Sequence, residues 1–381
     1  MRSRVYRSGR PTSPFEKGGF AKSVFLLVGF VLLTMVAQGD MTHAAIPTFA
    51  KVKAERTSSK ATLLDRHGEV IQELRVDPFG RRLEWKTLRE ISPALQDAVI
   101  QSEDRRFYDH GGVDWRALGY AFATNWMSAR QRGASTITMQ LASLVEEWRS
   151  GRARRGWREK WQQIQKAREI EQSWSKAQIL EAYLNLVSFR GELQGVAAAA
   201  RGLFEKEPHG LTDHDAWILA VLIRSPNAPL EKVAERACSL GHSLKYFESC
   251  EGVNASTQAA LALRFAIKPS ENLAPHVAEQ LLKPMRRSPE QKITSVNSTL
   301  DGQLQRFTID VLREHLLALK AQNVKDGAVL VADNKTGEVL AYVGNSGVDS
   351  SARFVDGVRA PRQAGSTLKP FLYALAFERR L

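Results

Sequence analysis

The sequence predicts a mainly α-helical fold that passes, near its C-terminal end, into the start of an α/β unit. Three observations carry this. Apolar residues recur three and four apart in 93–100 and again in 114–127, the spacing of one helix face. Ser175-Lys176-Ala177-Gln178 and Thr212-Asp213-His214-Asp215 have the form of helix-capping segments, and each precedes an apolar run. Residues 327–332 and 339–343 read as two strands about the turn Asn334-Lys335-Thr336-Gly337, after an amphipathic helix over Phe307 to Leu319.

The 381 residues suffice for two modest domains, and the formal charge is +13. That balance favours anionic partners. Nucleic acid is set aside, because no zinc-finger or other recognition signature is present. An anionic membrane surface or a lipid diphosphate remains. Residues 1–23 carry Arg2, Arg4, Arg7, Arg10, Lys17 and Lys22 against Glu16 alone, and read as a basic cytoplasmic tail. Residues 24–37 form a nearly unbroken apolar run. It is short beside the roughly 20 residues of a full span. It reads as an uncleaved single-pass anchor, with a cleaved secretory signal as the alternative. Either way the rest of the chain is exported.

Residues 38–60 read as a linker, polar and basic from Pro47 onward. Residues 61–71 read as a strand, an Asp/Gly turn and a second strand. The helical part begins at Leu88. In 114–127, Trp115, Leu118, Phe122 and Trp126 share a face suited to core packing. Residues 149–160 hold six basic side chains, including Arg154, Arg155, Arg158 and Lys160. They form either a solvated loop or a site for diphosphate, since guanidinium groups match phosphate oxygens. A helix over 160–171 follows. Residues 231–297 connect the two parts through helical pieces and proline breaks. Cys238 and Cys250 either pair, as an exported chain allows, or stay as two free buried thiols. Nothing suggests a metal cluster.

The chemistry concentrates in 101–140. Glu103 and Asp104 stand at the C-terminal end of the 93–100 helix, where the dipole disfavours a carboxylate. Burial against Phe107 and Tyr108 would raise the Glu103 pKa and suit it to acid–base work. Residues 103–114 run Glu-Asp-x-x-Phe-Tyr-x-His-x-Gly-x-Asp, and residues 133–141 run Gly-x-Ser-Thr-Ile-Thr-x-Gln-Leu. Together they resemble the first two motifs of the peptidoglycan glycosyltransferase family, the domains that polymerise lipid II in bifunctional penicillin-binding proteins. Residues 175–185, the small residues Gly191, Gly195, Ala199 and Ala200, and residues 215–220 resemble later motifs. The resemblance is strong over about 60–230, and the type 1C proteins match best.

It implies a lysozyme-like glycosyltransferase domain over 61–230 and a partial penicillin-binding transpeptidase domain over 298–381. It places the general base at Glu103. It sets Asp104, Phe107, His110, Ser135, Thr136, Gln140, Lys160 and Gln163 around the cleft, with Thr136 and Gln140 near the donor diphosphate. Arginines and lysines, with or without a divalent cation, would stabilise the departing diphosphate. The partners implied are lipid II, the growing glycan strand and other wall-synthesis proteins. The location implied is the bacterial inner membrane, with the catalytic domain on its outer side.

Two positions depart from the general pattern. Ser143 stands where the family has Lys, and Gln163 where it has a second essential Glu. An amide cannot act as a base, although it can donate to phosphate. Type 1C proteins also carry Gln there. In 365–371, Ser366 and Lys369 resemble a transpeptidase nucleophile and its base, three apart on one helix face. The Lys335-Thr336-Gly337 copy lies upstream of Ser366, as a hairpin turn, and is a decoy. With no later motif before Leu381, the second unit is expected not to acylate. The competing functions are a wall-cleaving muramidase or lytic transglycosylase, and a catalytically weak scaffold for wall-synthesis proteins.

Overall fold

The structure is a computed structural model that describes residues 46–77, 79–119, 135–150, 157–244, 249–262, 267, 271–282 and 294–380; for 148–150 and 157–159 it describes the backbone alone. The tail and apolar run of 1–37, Phe122, Trp126, Arg154 and Arg155 lie outside the described residues, as does the Arg158 side chain. Among the described residues no helix is long and apolar enough to cross a membrane.

The expected linker is in part a helix. α1 spans Phe49–Glu55, opened by Thr48, whose hydroxyl accepts from the Lys51 N–H at 3.3 Å. The reason is aromatic: Phe49 sets its edge on Trp85 at 5.9 Å and on Trp174 at 5.5 Å, and Val52 is fully buried. The expected hairpin is present. β1 (Lys60–Leu64) pairs antiparallel with β2 (Val70–Arg75). Asp65 closes the turn by accepting from the N–H groups of His67 and Glu69 at 2.8 and 2.9 Å, and Gly68 takes φ +86°.

This hairpin belongs to a different core from the one the sequence suggests. β1 also pairs in parallel with the distant β6 (Ser295–Asn297), Thr62 standing opposite Ser295. Ala61, Leu63 and Ile71 pack with Ala274, Ala278, Leu282 and Leu300. The packing of 60–75 is therefore with the later part of the chain.

The helical body follows. Its elements are α2 (Pro93–Glu103), α3 (Ile137–Ser150), α4 (Trp157–Ser173), α5 (Lys176–Leu186), α6 (Val196–Phe204), α7 (Asp213–Arg224), α8 (Leu230–Ser243) and α9 (Cys250–Ala262). α7 is buried from Asp215 through Ile223, with α2, α8 and α9 packed on it. The body thus continues past residue 230. A small sheet, β3 (Arg81–Arg82), β5 (Leu193–Gln194) and β4 (Ser188–Arg190), pairs in that order beside it. Both capping segments form as expected. The Ser175 hydroxyl accepts from the Gln178 N–H while Gln178 accepts from the Ser175 N–H, and Thr212 and Asp215 do the same. Cys238 and Cys250 form a disulfide joining α8 to α9. Trp115 departs from the expected core face, being 56% exposed.

The later region holds α10 (Pro275–Leu282), α11 (Gly302–Ala318), the antiparallel pair β7 (Val329–Ala332) and β8 (Val339–Val343), and α12 (Lys369–Glu378). The Lys335-Thr336-Gly337 segment is the hairpin turn anticipated. Asp333 accepts from the Lys335 and Thr336 N–H groups at 2.8 Å each, and Gly337 takes φ +74°. Ser366 lies in a short 3-10 turn ahead of α12, and Lys369 opens that helix. All residues from 361 to 375 are exposed. Among the described residues no hydrogen bond joins Ser366 to Lys369, so the expected pairing of nucleophile and base is not formed.

Gly195 precedes α6 at φ +82°, and a Cβ there would meet the Asn185 carbonyl oxygen at 2.5 Å. Glycine is needed on both counts. Gly195→Ala is expected to lower stability by about 3 kcal/mol in denaturant unfolding. A loss below about 1 kcal/mol would mean that the junction relaxes freely.

Candidate active site

The site is assembled where the C-terminal end of α2 meets the N-terminal end of α3. Glu103 is the last residue of α2, and Asp104 caps it. Asp104 is buried and does two jobs. It accepts from His110 Nε2 at 3.0 and 3.1 Å, and from the Ile137 N–H, the first amide of α3, at 3.1 Å. A carboxylate at that end of a helix also meets the favourable side of its dipole. One side chain thus fixes the loop of 105–112 and the start of α3 against α2. His110 Nδ1 is buried with no hydrogen-bond partner among the described residues.

Thr136 is the N-cap of α3. Its hydroxyl accepts from the Met139 N–H at 3.1 Å and donates to the Gly112 carbonyl at 2.6 Å. Gly112 sits at φ +88°, where a Cβ would lie 2.7 Å from the Ala167 carbonyl oxygen of α4. Helix α4 can approach the loop that closely only because that residue has no side chain.

Glu103 itself is half-buried. Its Oε2 accepts from Gln140 Nε2 at 3.0 Å, and its Oε1 from the Ser102 hydroxyl at 3.2 Å. Among the described residues no cation stands within ion-pair distance of it. Behind it Gln140 Oε1 accepts from the Tyr183 hydroxyl at 2.9 Å. Tyr183 is fully buried on α5, and burial together with the Glu103 carboxylate holds its phenol well above the ordinary range. The surroundings expected for Glu103 need correcting at one residue. Phe107 is fully buried, but Tyr108 is 64% exposed and forms no enclosing wall.

A second polar cluster supports the floor. Glu171 of α4 accepts from the Thr138 hydroxyl at 2.6 Å and from Lys176 Nζ at 2.8 Å. The same ammonium donates to the His110 carbonyl at 2.7 Å and lies 4.4 Å from the centre of the Phe107 ring. Arg106 and Asp114 form a two-pronged pair at 2.9 and 2.6 Å. Although burial pushes the Asp114 carboxyl up, the Ala117 N–H and Arg106 hold it below its usual range.

Lys160 of α4 comes to the residue before the Thr136 N-cap. Its Nζ donates to the Ser135 hydroxyl at 2.7 Å, and burial lowers its pKa. Among the described residues no carboxylate pairs with it. Gln163 follows one turn later on α4. Ser143 spends its hydroxyl on its own helix, donating to the Met139 carbonyl at 3.2 Å. The structure therefore brings together Glu103, Asp104, Phe107, His110, Ser135, Thr136, Gln140 and Lys160. In the sequence Lys176 belongs to a helix-capping segment and Tyr183 to the helical run of 175–185. Their burial against charged neighbours is what marks them, and spacing gives no sign of it.

This geometry is that of a polar cluster around a carboxylate with no described cation on it, inside a mostly helical domain. Residues 67–244 match the family model described as Transglycosylase. The chain carries a transglycosylase-family domain, and its helical make-up fits the lysozyme-like fold expected. Penicillin-binding protein 1C of Escherichia coli (strain K12) is 32% identical over 77% of this chain and 38% of its own length. Penicillin-binding protein 2D of Bacillus subtilis (strain 168) is 28% identical over 93% of this chain and 52% of its own. The biosynthetic peptidoglycan transglycosylase of Mannheimia succiniciproducens is 40% identical over 38% of this chain and 57% of its own. The chain spans about half the length, or less, of the penicillin-binding proteins it matches. The crystal structure of penicillin-binding protein 1A from Haemophilus influenzae aligns with a TM-score of 0.31 at 19% identity, over 73% of this chain and 32% of that one, too slight a likeness to bear on the fold.

Lys176 is the cation that compensates the largely buried Glu171. Lys176→Met is expected to cost about 3 kcal/mol in thermal or denaturant unfolding, because it strands a carboxylate away from water. A cost near zero would show that water reaches Glu171 freely.

Proposed function

We propose that this chain is a peptidoglycan glycosyltransferase that polymerises lipid II. One observation carries the reading. Glu103 is a half-exposed carboxylate held by two neutral donors, with no described cation paired to it. A carboxylate that only accepts hydrogen bonds is arranged to take a proton. In the proposed step Glu103 removes the proton from the acceptor sugar's 4-hydroxyl. The oxygen bonds to the donor's anomeric carbon as the bond to the diphosphate breaks. Configuration inverts, and undecaprenyl diphosphate leaves with the electron pair. The transglycosylase-family domain and relatives named biosynthetic peptidoglycan transglycosylases support this reading.

Leaving-group charge needs a cation that is not already neutralised. Lys160 meets that need, with Ser135 beside it as a neutral donor. Ser143 does not, since its hydroxyl is bonded to its own helix. Arg154, Arg155 and Arg158 belong to the same basic segment and extend the proposed diphosphate site. Among the described residues a protein-held divalent cation fits poorly. Asp104 is engaged by His110 and Ile137, and Glu171 by Thr138 and Lys176. Among the described residues the one cluster with metal-ligand geometry is Cys238, His242 and Cys250, whose two sulfurs are bonded to each other. The location proposed is the outer side of the bacterial inner membrane, with residues 24–37 as anchor. Residues 298–381 are proposed as part of a penicillin-binding transpeptidase domain.

Purified protein with labelled lipid II is expected to form long, muramidase-sensitive glycan chains. Glu103→Gln should lower the rate by about a thousandfold. A variant retaining activity within about tenfold would remove Glu103 as base.

Lys160→Met should raise KM for lipid II about tenfold while Lys160→Arg stays near wild type. Because burial weakens the ammonium's hold on its proton, lipid II affinity should fall with rising pH before the ordinary lysine value of 10.5 is reached. The Arg variant should lack that decline, and a decline in both would assign it elsewhere.

A further inference from the structure

We propose that Tyr183 is a positioning residue that sets the orientation of the base through the Gln140 amide. The inference rests on Glu103 being that base. Glu103 ends a helix, where nothing from its own α2 backbone restrains its carboxylate beyond the neighbouring Ser102 hydroxyl. The restraint comes from α3, by Gln140 Nε2 at 3.0 Å.

An amide offers a donor on one side and an acceptor on the other. A turn of Gln140 about its last bond would set its carbonyl oxygen against the carboxylate. Two acceptors would then face each other, and Glu103 would swing away. The Tyr183 hydroxyl opposes that turn. It donates to Gln140 Oε1 at 2.9 Å from a fully buried ring, and among the described residues it has no second acceptor. Turning the amide would leave the phenol proton stranded, which is costly in a dry site. Glu103, Asp104 and Arg224 are the charged groups within electrostatic reach of this phenol, and burial keeps it protonated. The hydroxyl is thus a neutral donor throughout the working range.

The chain runs from α5 through α3 to the end of α2. Each link is neutral except the last. Such a relay fixes the carboxylate's direction without a counter-charge that would blunt its basicity. Orientation of a reacting group is a large part of rate. A misdirected carboxylate lowers turnover and leaves substrate binding as it was.

The experiment is a double-mutant cycle on lipid II polymerisation, with Tyr183→Phe and Gln140→Met. Phenylalanine keeps the buried ring, and thermal melting checks that each variant is folded. Each single variant is expected to lose about tenfold in kcat, and Tyr183→Phe to keep KM within about twofold. The double variant should be no slower than the worse single one, because both changes break one relay. Losses that multiply, or a Tyr183→Phe kcat within about twofold of wild type, overturn the proposal while leaving the function standing. Should Tyr183→Phe fail to fold, Tyr183→Met, which also lacks the hydroxyl, takes its place in the cycle. A kcat loss with unchanged KM supports the relay, and an unchanged kcat overturns it. Failure of the wild type to form polymer overturns the functional reading and this inference with it.

Discussion

The buried carboxylate of Asp104 is the constraint on which the site depends. It accepts from His110 and from the first amide of α3, while the backbone N–H of the same residue closes α2 on the Ile100 carbonyl. Those three attachments join segments that are 33 residues apart at their widest. Each partner also contributes a part of the cleft. The end of α2 carries Glu103, the loop to His110 carries Phe107, and the first turn of α3 carries Gln140. A buried acid with fewer donors would be a liability, since an unpaired charge in a dry interior is strongly unfavourable. Here its donors come from a ring nitrogen and a helix N-terminus, which is where a negative charge is best tolerated.

The charges around the cleft divide into those already neutralised and those left over. Arg106 is spent on Asp114, Lys166 on Glu146, and Lys176 on Glu171. Among the described residues, the acid Glu103 and the base Lys160 are left without an ion-pair partner. Glu103 rests on neutral amide and hydroxyl donors, and Lys160 rests on a serine. This leaves the first suited to receive a proton and the second suited to receive an anion.

The sequence made much of this legible, and what it missed was non-local. The two capping boxes and the Asp65 turn were readable because their hydrogen bonds close within a few residues. Glu103 and Gln140 were readable from an ordered motif. The pairing of β1 with β6 was not, because a parallel strand so distant leaves no local mark. Tyr183 was hidden in a run that reads as plain apolar helix, although its hydroxyl end is what matters. Trp115 shows the reverse error, since its spacing fits a core face that the fold leaves largely open to solvent. α1 reads as linker in the sequence because its charges hide Phe49, which two tryptophans hold in place.

The central claim is that one uncompensated carboxylate faces the reacting sugar. A crystal structure with a non-hydrolysable diphosphate-lipid disaccharide and an acceptor tests it most directly. The account predicts the acceptor 4-hydroxyl within about 3 Å of Glu103, with the diphosphate on the Lys160 and Ser135 side. An acceptor bound far from Glu103, or a Glu103 carboxylate turned onto a cation in the complex, would contradict it.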